Sequence, residues 1–113
     1  MAIEEGVVSE GTMRASDLIR AFWSEYQRHY EEHVLFSIQS DHDTVFEALG
    51  TLPDAEFDEA VNAGGPLDDD AGYLLEAMVW DLEAVAEEQG FLFGTSEGDG
   101  ACWGFWEKDG ALP

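Results

Sequence analysis

Residues 68–90 read DDDAGYLLEAMVWDLEAVAEEQG. They predict a helix from about Asp69 to Gln89. The aspartates suit the positive end of a helix, and Gly90 is a natural stop. Leu74, Leu75, Met78, Leu82 and Val85 recur at helical spacing and form a core face. Asp69, Glu76, Glu83 and Glu87 fall within a narrow arc of the same helix, with Tyr73 and Trp80 beside them. One segment therefore supplies both a core helix and a ridge of carboxylates.

After this helix the chain predicts a hairpin. Phe91-Leu92-Phe93 is one strand, Ser96 to Gly100 the loop, and Ala101 to Glu107 the other strand. Before it, Gly64-Gly65-Pro66 marks a break. Pro53 opens a short helix carrying Phe57, Ala60 and Val61. Another short helix, capped near Ser40 or Asp41, carries Val45, Phe46 and Leu49 and stops at Gly50. Residues 34–39, Val-Leu-Phe-Ser-Ile-Gln, alternate as a strand would. A further helix runs from about Ser16, a good N-cap, to Glu32. Its apolar face is Leu18, Ile19, Phe22, Trp23, Tyr26 and Tyr30, with Arg20, Ser24, Gln27, Arg28 and Glu31 opposite. Residues 1–15 read as a mobile lead-in, and residues 16–113 as one domain. The order predicts an α+β fold: a small, mostly antiparallel sheet, built from strand 34–39 and the hairpin 91–107, with helices packed on one side.

The composition supports a packed core. The chain has 113 residues, 45% hydrophobic and 12% aromatic, richer than a disordered acidic tail. Its charge is the outlier: 26 acids against four bases give a net charge of −22. Residues 34–113 hold nineteen of those acids and a single base, Lys108. Such an imbalance repels itself and lowers stability. Three readings account for it: a negative surface for a basic protein partner, life in very high salt, or simple solubility. DNA, RNA and acidic membranes are poor partners, because phosphate binding needs lysine and arginine. The only cysteine is Cys102, so no internal disulfide forms and a reducing compartment is expected. No apolar run is long enough to span a membrane, and the start lacks signal-peptide regions, so the expectation is cytoplasmic.

Several spellings invite a catalytic or metal reading. His29-Tyr30-Glu31-Glu32-His33 matches H-x-x-E-H, a zinc-peptidase pattern. No third ligand is identifiable, and both histidines fall on the apolar side of the predicted first helix, so core-edge histidines are favoured. Gly94-Thr95-Ser96-Glu97-Gly98 spells G-x-S-x-G, but a nucleophile elbow needs a helix after it, where a strand is predicted. Asp68-Asp69-Asp70 fails calcium-loop spacing, since Gly72 and Val79 stand where Asn or Asp and Glu are needed. Cys102 has no basic neighbour in sequence to activate it. No enzyme activity, metal or cofactor is expected.

The acids remain. A seven-residue step along a helix separates carboxylates by about 10 Å and a four-residue step by about 6 Å. Phosphates along a DNA strand lie at comparable intervals. Charged helix faces are usually plain solvated faces, but those mix signs to gain i,i+4 pairs. Here no base occurs between Asp68 and Lys108. Asp54, Glu56, Asp58 and Glu59 form a second dense patch. On the last strand, Trp103 and Phe105 point to one face and Trp106 to the other, where an aromatic can anchor a partner. The expected partner-binding residues are Asp54, Glu56, Asp58, Glu59, Asp69, Glu76, Trp80, Glu83, Glu87 and Trp106.

In size, charge and the acidic rows over residues 41–88, the chain resembles the phage-encoded acidic DNA mimics, the anti-restriction and some anti-CRISPR proteins. The resemblance implies an inhibitor that occupies the basic nucleic-acid channel of a bacterial defence complex and blocks DNA, without a cofactor. Two alternatives share the acidity: an immunity protein guarding a basic toxin nuclease, and a salt-adapted domain from a halophile. A metal-dependent enzyme is the least favoured.

Overall fold

The computed structural model describes residues 6–9, 14–96 and 99–107. Along the chain these form β1 (Gly6–Ser9), α1 (Ala15–His29), α2 (Glu32–Asp41), α3 (Asp43–Thr51), α4 (Asp54–Val61), α5 (Asp68–Glu88), β2 (Phe91–Ser96) and β3 (Asp99–Glu107). The strands make one antiparallel sheet in the order β1-β3-β2. The architecture is α+β, with helices packed on one side of a small sheet.

Helix α5 spans 21 residues, and Gly90 follows it with a positive φ of 82°, a conformation suited to glycine. Its buried residues are Ala71, Leu74, Met78, Leu82, Val85 and Ala86. Leu75, expected in the core face, is only half-buried. Helix α1 buries Leu18, Ile19, Phe22 and Tyr26 as its periodicity predicts. Between the two helices and the sheet lies an aromatic cluster. Phe22 meets Phe93 at 5.3 Å and Trp103 at 5.2 Å between ring centroids, and Phe93 meets Phe105 at 5.0 Å. Rings of this kind each stabilise a core by roughly 2–3 kcal/mol through burial.

The start of α1 differs from expectation. Ser16 is not the N-cap; Arg14 holds that position and makes no side-chain cap. Ser16 is buried in the first turn, where its N–H donates to Asn62 Oδ1 at 3.0 Å and its Oγ accepts from Asn62 Nδ2 at 3.1 Å. A first-turn amide needs an acceptor from outside the helix. Asn62, just past the end of α4, provides one from 46 residues away.

Two further expectations are corrected. Residues 34–39 are not a strand; they lie inside α2. A short apolar run fits either period, and its neighbours decide. Val34, Leu35 and Ile38 take up helical spacing that continues through Val45, Phe46 and Leu49 of α3. The two helices are joined at His42, whose φ of −126° and ψ of 40° break the run. Within it Ile38 is buried, while Phe36, which alternation placed beside Ile38, is 70% exposed. The strand missing from 34–39 is replaced by β1, from the expected lead-in. Gly6 pairs with Phe105, Val7 with Gly104 and Ser9 with Trp103, so β3 is central. Residues 1–5 and 10–13 of that lead-in lie outside the described residues.

The hairpin is longer than expected. Strand β2 reaches Ser96 and β3 begins at Asp99, so both run into the expected loop 96–100. Phe93 opposes Phe105 and Thr95 opposes Trp103; Phe93, Phe105 and Trp103 pack into the core, while Thr95 is exposed. Among the described residues, no helix is long and apolar enough to cross a membrane.

Candidate functional site

The acids fall into two electrostatic environments. One is the seam between α1 and α4. Arg14 reaches Asp58 Oδ2 at 3.0 Å, and Arg20 reaches Asp58 Oδ1 at 3.0 Å, Asp54 at 3.6 Å and Asp17 at 3.8 Å. The Arg20 guanidinium also lies 5.0 Å from the centre of the Phe57 ring. Partial burial pushes the Asp58 carboxyl up. Ser16 and the two guanidinium groups outweigh that effect and hold it below the usual carboxylate value. Asp58 is therefore held within the fold. Asp54 remains exposed at α4's start, while Glu56 and Glu59 are exposed without an ion-pair partner among the described residues.

The other environment is α5. It carries eight acids and no base. Asp69, Glu76, Glu83 and Glu87 are all exposed, and among the described residues no cation pairs with them. From Asp69 to Glu87 the ridge is about 27 Å long. Tyr73 and Trp80 stand in it, 65% and 74% exposed. The structure thus brings together five of the expected binding residues on one helix face: Asp69, Glu76, Trp80, Glu83 and Glu87.

Asp81, unlike the ridge acids, is held by the fold. Its carboxylate accepts from Tyr26 Oη at 2.7 Å and its backbone carbonyl from Tyr30 Oη at 2.8 Å. Burial, with Asp81 and Glu88 nearby, pushes the Tyr30 hydroxyl up to about 12. Tyr26 is raised further, by burial first and then by Asp81. These bonds fasten the end of α1 to α5 and hold the ridge against the core.

The ridge also borders a feature that the sequence reading missed. A cleft of about 350 Å³ opens between α1, α5 and β3. Leu18, Phe22, Leu75, Val79 and Trp103 line it, with Glu76, Trp80 and Glu83 beside them. Leu75 and Val79 are four residues apart on the helix flank between core face and ridge. That spacing was a visible signal, but the opposing wall is Trp103, supplied by a distant strand. A wider groove of about 730 Å³ lies between α1 and α2, along Trp23, Gln27, Leu35 and the exposed Phe36.

Trp106 is committed to the hairpin. It is half-buried, and its Nε1 donates to the Gly94 carbonyl at 3.1 Å across the sheet. Its strand partner Leu92 is the more open residue, at 46% exposure.

The motif spellings come apart in three dimensions. His29 ends α1 with its side chain 2% exposed, its ring edge-on to Phe105 and its Nδ1 without a hydrogen-bond partner among the described residues. His33 belongs to α2 instead and is 77% exposed, contrary to the expectation of a shared apolar face. The extended backbone of Tyr30 and Glu31 separates them. No cluster of three metal-ligating side chains occurs among the described residues. Gly94, Thr95 and Ser96 finish β2 and lead into β3, while Glu97 and Gly98 lie outside the described residues. Asp68 accepts from the Gly64 N–H at 3.1 Å, so one of the three aspartates closes the turn before α5. Cys102 is a half-buried free thiol on β3. Comparison with protein-family models, curated proteins and solved structures returns no significant match.

Proposed function

We propose that this chain is a non-catalytic acidic inhibitor that occupies the basic nucleic-acid-binding surface of a bacterial defence complex. It acts as a DNA mimic of the anti-CRISPR or anti-restriction kind. One observation carries the reading: the α5 ridge presents, over about 27 Å on a helix with no base, four carboxylates that meet no cation among the described residues. A surface of that sign steers toward cations and gains affinity by pairing with them. Its rigidity adds to the effect, because α5 is anchored through Leu74, Met78 and Leu82, all fully buried. Because the helix backbone is already ordered, binding has only the carboxylate side chains left to fix.

The test is competition. Purified protein is titrated against candidate defence nucleases and complexes carrying labelled target DNA. The expected result is stoichiometric displacement of DNA that weakens steeply with added salt. Binding that leaves DNA in place would sink the mimicry reading. A secreted or toxin nuclease as the sole partner would point to an immunity protein instead. Folding only in molar salt would point to halophile adaptation.

A further inference from the structure

We infer that the cleft beside Trp80 is an arginine receptor: it takes an arginine side chain of the basic partner and discriminates against lysine. This deepens the proposed function and rests on it. Two features coincide here. The lining is apolar, from Leu18, Phe22, Leu75, Val79 and Trp103, and its border holds Glu76, Glu83 and the 74% exposed Trp80.

Charge complementarity selects the occupant. A second copy of this chain would bring a net charge of −22 against the same ridge. A neutral apolar side chain would fill the cleft but leave both carboxylates without a partner. A lysine ammonium satisfies a carboxylate as a strongly hydrated point charge, which favours open water over an indole face. A guanidinium is planar and more weakly hydrated. It stacks on an indole, forks to carboxylates, and carries a methylene stem that can cover apolar surface. Glu76 and Glu83 lie two helical turns apart with Trp80 between them, so a group stacked on Trp80 has a carboxylate to either side. The cleft volume of about 350 Å³ suits one or two side chains, not a helix.

Tyr73 is the internal control. It stands on the same ridge and is 65% exposed, but it borders a different, polar pocket with Asp41, Asp43 and Asp70, without the apolar walls of this cleft. Simple aromatic decoration would make the two residues equivalent.

The experiment uses hexa-arginine and hexalysine peptides as probes. Binding to the full chain is measured by calorimetry at fixed low salt, and the Trp80 indole N–H is followed by NMR. Hexa-arginine is expected to bind about three- to fivefold more tightly than hexalysine and to shift the Trp80 signal. Trp80→Leu should remove most of that preference while hexalysine binding stays unchanged. Tyr73→Leu should leave the preference intact. Glu76→Gln with Glu83→Gln should weaken both peptides. Equal affinities, or a preference that survives Trp80→Leu, overturns the arginine receptor but leaves the acidic-ridge reading standing. No binding of either peptide overturns both. Circular dichroism on each variant confirms an intact fold, expected because Trp80 and Tyr73 are surface residues.

Discussion

The α1–α4 seam and the α5 ridge contain the same residue type in opposite circumstances. In the seam, Asp58 sits between Arg14 and Arg20, with 24% of its side chain exposed. On the ridge, Asp69, Glu76, Glu83 and Glu87 meet no cation among the described residues. The three arginines, the bases among the described residues, all lie on or beside α1. What distinguishes the regions is what neutralises each carboxylate. In the seam the fold does so itself. On the ridge no cation among the described residues does, which leaves solvent, salt or a partner. Acid count alone therefore says little about function, whereas the distribution of the bases says a great deal.

The sharpest way to break this contrast is to reverse the ridge. Glu76→Lys, Glu83→Lys and Glu87→Lys together should weaken partner binding by more than about 100-fold. The melting temperature should hold or rise, because the substitutions relieve self-repulsion. A variant that keeps its affinity would move the binding surface elsewhere.

Next in size is the fastening of the ridge to α1. Tyr26→Phe removes the donor to Asp81 and leaves a partly buried carboxylate short of a partner. It should cost about 1–2 kcal/mol of stability. In a domain of this size that lowers Tm by roughly 5–10 °C, measurable by calorimetry. Binding of the properly folded fraction should change little.

The seam predicts the opposite pattern from the ridge. Arg20→Met removes one of the two arginines that hold Asp58, along with the contacts to Asp54 and Asp17, and should lower Tm, with partner affinity unchanged. If that variant lost affinity at full stability, the seam would belong to the binding surface.

The smallest effects are in pH. The folded pKa of Asp58 lies below its unfolded value. Its contribution is thus present above the ordinary carboxylate pKa, about 3.9, and is lost as pH falls through the lower folded value. The stability gap between wild type and Asp58→Asn should close below about pH 4. The tyrosines work in the other direction. Tyr30 is raised from 10.0 to about 12, so its contribution is complete below pH 10 and disappears as pH climbs toward 12. Ultraviolet titration should show Tyr30 ionising well after pH 10 but before Tyr26, and Tyr30→Phe should remove the earlier of these two late components.

Much of the fold was legible because it is local. The periodicities of α1 and α5 locate the core through residues three and four apart, and Gly90 and the alternating strands locate the hairpin. The ridge was legible for the same reason, since a helix alone places Asp69, Glu76, Glu83 and Glu87 in one arc. Tertiary structure decided whatever depends on distant partners. It made 34–39 a helix, because six apolar-rich residues satisfy two periods and packing beside α3 favours one. It gave β3 a second neighbour in β1. It committed Asp58 to the arginines and Trp106 to Gly94, taking both out of the free surface. And it opened the Trp80 cleft, whose walls come from α1, α5 and β3. Sequence spacing determines which side chains share a face; only packing determines what that face meets.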